Sequence, residues 1–165
     1  MEIDVLIEAE AWDELDLQAI AEMVAHAAFT ELDLAPEGFS LSLLAADDAR
    51  IATLNADFRG KPTPTNVLSW PSEDRAAATP GAIPELPKAD LSRPPVEVGD
   101  IALAYETCVR EAEEGGKPLA HHVTHLILHG LLHCLGFDHE NDPDAALMES
   151  LETRVLATLG VPDPY

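Results

Sequence analysis

The chain has 165 residues, and its 31 acids against 9 bases give a formal charge of −22. That excess excludes general attraction to polyanions, which depends on Lys and Arg neutralising phosphates. The length fits one domain, 1–165, which buries roughly 70% of the surface its unfolded chain exposes. No apolar run approaches the roughly 20 residues of a membrane span, so no membrane contact is expected.

Residues 3 to 8 alternate loosely between apolar and polar and predict a strand; Leu15 to Phe29 then repeat apolar residues at helical spacing. The acids and short apolar run of Met1–Glu10 do not resemble a secretory leader, and a cytoplasmic protein is expected. Phe39-Ser-Leu-Ser-Leu-Leu alternates with period two, and Asp47-Asp48 can cap a helix running to about Phe58. A turn-rich loop, Arg59 to Asn66, leads into a short strand from Val67 to Trp70, closed by Pro71. Residues 71–97 are rich in Pro and Ala without a period, and are expected to form a flexible insertion.

Order resumes with a strand at Val98–Ala104 and a helix from about Tyr105 to Glu114, ended by Gly115-Gly116. A longer helix starts near Pro118 and runs through several histidines to Gly136. Asp142 is expected to cap a last helix, with Pro143 at its first position and Leu147, Leu151, Val155 and Leu159 on one face. Cys108 and Cys134 match no paired spacing and read as reduced thiols. The predicted class is α+β: a small mixed four-stranded sheet packed with about five helices, with a zinc site at the end of the long helix. No sheet order follows from the sequence.

The chemistry concentrates in His129-Gly-Leu-Leu-His133-Cys-Leu-Gly136-Phe-Asp-His139. Residues four apart on a helix share a face, with β-carbons about 5–6 Å apart, so His129 and His133 can address one ion. Gly136 can turn the chain back and bring in His139 from the loop. Three protein ligands leave a fourth tetrahedral position open, the arrangement of a catalytic zinc rather than a structural one. Imidazoles also suit Ni, Cu and Co, so the presence of a metal is better founded than its identity. Metzincin peptidases share this spacing but carry a Glu base directly after the first His. Here that position is Gly130. Zinc acidifies water to a pKa of about 7 without such a neighbour, so hydrolysis of another bond stays open. Asp138 can orient a ligand imidazole or stabilise the turn, and His125, one turn before His129, reads as a packing or ligand-orienting histidine. Cys134 reads as core.

These residues resemble the YbeY endoribonucleases, also called rRNA maturation factors, whose His-Gly-x-Leu-His-Leu-x-Gly-Tyr-Asp-His signature is matched with Cys134 and Phe137 as departures. Arg59-Gly-Lys61, Pro64-Thr-Asn-Val-Leu-Ser69, Gly99-Asp-Ile, Gly116-Lys-Pro and Asp-Pro-Tyr165 fit the same family. Only residues 71 to 96 look longer than the family usually has.

The resemblance implies a zinc-dependent endoribonuclease, with one Zn2+ per chain, acting on single-stranded RNA in 16S rRNA 3′-end maturation and ribosome quality control. It implies no DNA substrate. Ribosomal proteins and a ribosome-assembly GTPase are expected partners. Phosphodiester cleavage needs charge neutralised on the phosphate oxygens, which an Arg can do bidentately. Of nine bases, Arg59 and Lys61 share one Gly- and Pro-bounded loop, and Arg59 is the expected phosphate ligand. Lys61, Thr65 and Asn66 are expected to shape the loop or the substrate groove. Two alternatives remain at this point: a metzincin-like zinc peptidase, and a non-catalytic ribosome assembly factor whose structural zinc is closed by His125 or Asp138.

Overall fold

The computed structural model, which describes residues 1–165, has four strands and five α-helices. They are β1 (Glu2–Ile7), α1 (Leu17–Glu31), β2 (Phe39–Ala46), α2 (Asp48–Arg59) and β3 (Val67–Pro71), then β4 (Val96–Ala104), α3 (Tyr105–Glu114), α4 (Leu119–Cys134) and α5 (Asp142–Thr158). The sheet order is β1-β2-β4-β3. β1, β2 and β4 run parallel, while β3 joins β4 antiparallel as an edge strand. No helix is long and apolar enough to cross a membrane.

The two faces of the sheet are covered unequally. Phe39, Leu41, Leu43 and Ala45 of β2 alternate into the main core, which α1, α4 and α5 close from one side. A smaller cluster of Ile51, Leu68, Ala46, Ala102 and Ala104 lies under α2 on the other. α4 is the central helix: Leu126, Ile127, Leu128, Leu131 and Leu132 are all buried along it. Burying each such side chain contributes about 1.5–3 kcal/mol, several times the tenths that separate helix propensities. Packing therefore fixes the rotation of α4, and with it the direction in which its histidines point.

Several boundaries differ from the sequence reading. α1 starts at Leu17, because a 3-10 turn at Glu10–Glu14 buries Trp12, whose Nε1 donates to the Ala46 carbonyl at 2.8 Å. β4 starts at Val96, so the end of the 71–97 segment is strand. Asn141, not Asp142, caps α5 by accepting from the Asp144 N–H at 2.9 Å, which moves Pro143 to the second helical position. Asp47 caps α2 as expected, accepting from the Arg50 N–H at 2.8 Å.

Residues 72–95 contain no helix or strand, yet they are fastened near their start. Arg75 is buried, and its guanidinium donates to the carbonyls of Val98 (3.3 Å) and Cys134 (3.1 Å).

Candidate active site

α4 carries His125, His129 and His133 one turn apart, and all three line a single cavity of about 310 Å3. His139 reaches the same cavity from the loop after α4; Arg59 reaches it from the end of α2. Val67 and Ser69 of β3 form its sheet-edge wall, with Thr65 and Asn66 leading into it. Residues separated by 80 positions thus meet because β3 packs against α4 and the segment that joins α2 to β3 runs along the same cavity.

The helix ends where the histidine pattern needs it to. Gly136 takes φ +107°, a left-handed conformation, and a β-carbon there would meet the Arg75 carbonyl oxygen at 2.6 Å. The resulting turn brings the Phe137 carbonyl back over the helix, where it accepts from His133 Nδ1 at 3.2 Å.

His129 is held in the same sense from another direction. Its Nδ1 lies 3.1 Å from Oε1 of Glu152, a fully buried carboxylate on α5. Glu152 also receives His125 Nε2 and, at 3.0 Å, the Tyr165 hydroxyl. Burial alone would raise its pKa; the hydrogen bonds from His125 and His129, with the charge those rings can carry, outweigh burial and hold it at about 2. Burial and the neighbouring Glu152 charge raise the pKa of the Tyr165 hydroxyl, keeping it a donor.

The donor chemistry fits a metal. His129 and His133 each commit Nδ1 to an acceptor, which fixes the tautomer and leaves the Nε2 lone pair free, as in metal-binding histidines with carboxylate or carbonyl partners. The third ring is not in place: no three His, Cys, Asp or Glu side chains converge on a point that would hold an ion. His139 instead stacks on His129, ring centroids 5.3 Å apart at 30°. Its side chain is 58% exposed, so it is the ring freest to turn.

Asp138 Oδ1 accepts from the His139 N–H at 2.7 Å, which stabilises the turn, and lies 3.8 Å from Nδ1 of the His139 ring. Asn66 lines the cavity and is anchored from behind: its Nδ2 donates to Glu111 at 3.0 Å, and Glu111 also meets the buried His122 at 2.9 Å. Lys61 is exposed and stands outside the lining. Gly130 faces the sheet, where a β-carbon would lie 3.1 Å from Ile101. A carboxylate base at that position would point into the core, which removes the metzincin arrangement. Cys134 is buried as expected.

Sequence reasoning missed Glu152. Its signal was a lone acid on an apolar helix face, one turn after Met148 and one before Val155 and Leu156, all buried. A charge there needs partners.

Two imidazoles with free nitrogens, a third beside them and an arginine in one open cavity define a metal-dependent hydrolase type of site on an α+β scaffold. The family model described as Endoribonuclease YbeY matches residues 3–160. A Jannaschia sp. protein named Endoribonuclease YbeY is 67% identical over the whole of both chains. A Dinoroseobacter shibae protein of the same name is 60% identical over 99% of this chain and 90% of its own. The solution structure of a Thermotoga maritima protein matches the fold with a TM-score of 0.57 at 18% identity, covering 96% of this chain and 91% of that one. The chain belongs to the YbeY family of metal-dependent endoribonucleases, hydrolases that act on phosphodiester bonds.

Proposed function

We propose that this chain is a zinc-dependent endoribonuclease of single-stranded RNA that matures the 3′ end of 16S ribosomal RNA and serves ribosome quality control in the cytoplasm. The observation that carries the reading is the pairing of His129 and His133, each with Nδ1 committed and Nε2 free, in one cavity with Arg59.

His129, His133 and His139 would hold the ion. Zinc bound there supplies Lewis-acid polarisation of a water or of the scissile phosphate. Arg59 holds the non-bridging phosphate oxygens, where its planar fork matches two acceptors at once. Glu152 and the Phe137 carbonyl keep two imidazoles in register, so little reorganisation is needed when substrate arrives. The free edge of β3 and the Thr65–Asn66 turn give an extended single strand a path beside the site.

The structural-zinc alternative needs His125 or Asp138 as a closing ligand. His125 Nε2 is taken by Glu152, which disfavours His125 as the closing ligand. The acidic surface suits basic ribosomal proteins as partners, alongside an assembly GTPase.

The test is cleavage of a labelled single-stranded RNA, its duplex form and a precursor carrying the 16S 3′ end, by wild type and His133→Ala, with metal content measured by mass spectrometry. The reading stands if wild type carries about one zinc per chain and cuts single strands, while the variant loses both. Bound zinc with no cut under any condition would transfer the case to an assembly factor.

A further inference from the structure

Tyr165 is the only aromatic residue besides the histidines in the cavity that holds Arg59 and the metal-binding imidazoles. It is 61% exposed, although its hydroxyl donates to Glu152 and its ring meets His125 edge-on, centroids 5.8 Å apart at 86°. Its own backbone N–H donates to Asp163 Oδ1 at 2.9 Å. Both the backbone and the tip of the ring are therefore tied down while much of the side chain stays open. Glu152 already has two histidine partners, so satisfying that carboxylate does not by itself call for a large open ring.

The cavity is also polarised. Arg59 is the one Lys or Arg in its lining and suits phosphate, while the Tyr165 side offers an exposed, uncharged ring. A nucleotide has the matching polarity, with an anionic phosphate at one end and an uncharged π-face at the other. Bases of a single strand are free to stack on aromatic side chains, at about 1–3 kcal/mol each.

We infer that Tyr165 is a substrate-positioning residue whose ring stacks on the nucleobase adjacent to the phosphate held by Arg59. The inference rests on the reading of this cavity as an RNA-cleaving site. It gives that site a means of preferring single strands, since a base paired within a duplex cannot turn onto the ring.

The experiment compares metal-loaded wild type with Tyr165→Ala, Tyr165→Phe and Tyr165→Trp. Each cuts a labelled single-stranded RNA and the same RNA with an abasic ribonucleotide on either side of the cut. For Tyr165→Ala, KM should rise about 5- to 150-fold, the equivalent of one stacked base. Phe and Trp should restore it. An abasic site at one flanking position should cost wild type as much and cost Tyr165→Ala nothing more.

A Phe variant as impaired as Ala would mean that the hydroxyl matters rather than the ring, and would overturn the inference. So would independent, additive penalties, or loss of zinc from Tyr165→Ala, which would mark the residue as a structural cap. If wild type cuts no RNA, the reading of the site fails by itself. Stacking is then judged by anisotropy titration of the same RNA, where equal Kd for wild type and Tyr165→Ala would sink it.

Discussion

Glu152 and His129 come from different helices, 23 positions apart, and meet at 3.1 Å through Oε1 and Nδ1 in a position sealed from solvent on the Glu152 side. One carboxylate thereby sets the tautomer of His129 and, through His125 and Tyr165, ties α4 to α5 and to the C-terminal residues. Removing its charge while keeping its shape is the sharpest probe of this arrangement. Glu152→Gln should weaken zinc binding by about 10- to 100-fold, read by competition with a chromogenic chelator. Unchanged zinc affinity in a folded variant would show that His129 orients itself without help.

Arg59 is expected to act on the phosphate and not on the metal. Arg59→Ala should lower single-turnover cleavage by about 100- to 1000-fold, by analogy with the loss of one preorganised donor, with zinc content unchanged. Arg59→Lys should recover only part of this, since a point charge cannot make the bidentate contact. Full activity in Arg59→Ala would take the residue out of the mechanism.

Gly130→Glu recreates the peptidase-like residue order and should create no peptidase. The added side chain meets Ile101 from a β-carbon only 3.1 Å away and forces a carboxylate toward the sheet. Overpacking of this kind costs about 1–3 kcal/mol before the buried charge is counted. Urea denaturation should show the loss, and casein should stay intact.

Burial, reinforced by the charges of Glu111 and Asp48, pushes the Cys108 thiol from 9.0 up to about 12. The folded pKa lies above the unfolded one, so the contribution to stability is complete below about pH 9 and is lost as pH rises from there toward 12. Native protein at pH 8 should resist iodoacetamide at Cys108, while urea-unfolded protein reacts, as peptide mass spectrometry can show. Rapid labelling of the native thiol would contradict this burial.

What could be read from the sequence was local. The His129–His133 spacing, the Gly136 turn and the Asp47 cap each depend on residues within a few positions of one another, so pattern and geometry coincide. Glu152 was hidden because its partners lie 23 and 27 residues away on another helix. The 3-10 turn around Trp12 was hidden because its cause is the Ala46 carbonyl, 34 positions on. Strand order was out of reach for a similar reason. β3 follows β2 in the chain but sits beyond β4, an arrangement decided when β4 pairs with both. The metal geometry was only half legible: helix spacing aligns two imidazoles, but a loop side chain such as His139 takes its rotamer from its surroundings.

Arg75 and Gly136 together divide the 72–95 segment into two unequal parts. Up to Arg75 the chain is clamped, with its guanidinium on two backbone carbonyls and its own carbonyl against a glycine that no other residue can replace. Past that clamp, Asp90 to Arg93 form an exposed turn before β4 begins. Between that turn and Arg75 the chain is anchored again, with Pro84 buried and the Gly81 N–H donating to Asp144 Oδ1 at 2.7 Å, so the exposed turn is separated from the one that orients His133. The segment is accordingly a permissive splice point: a fluorescent module inserted at Asp90–Arg93 would travel with an intact nuclease, and relatives could change its length without retuning their chemistry.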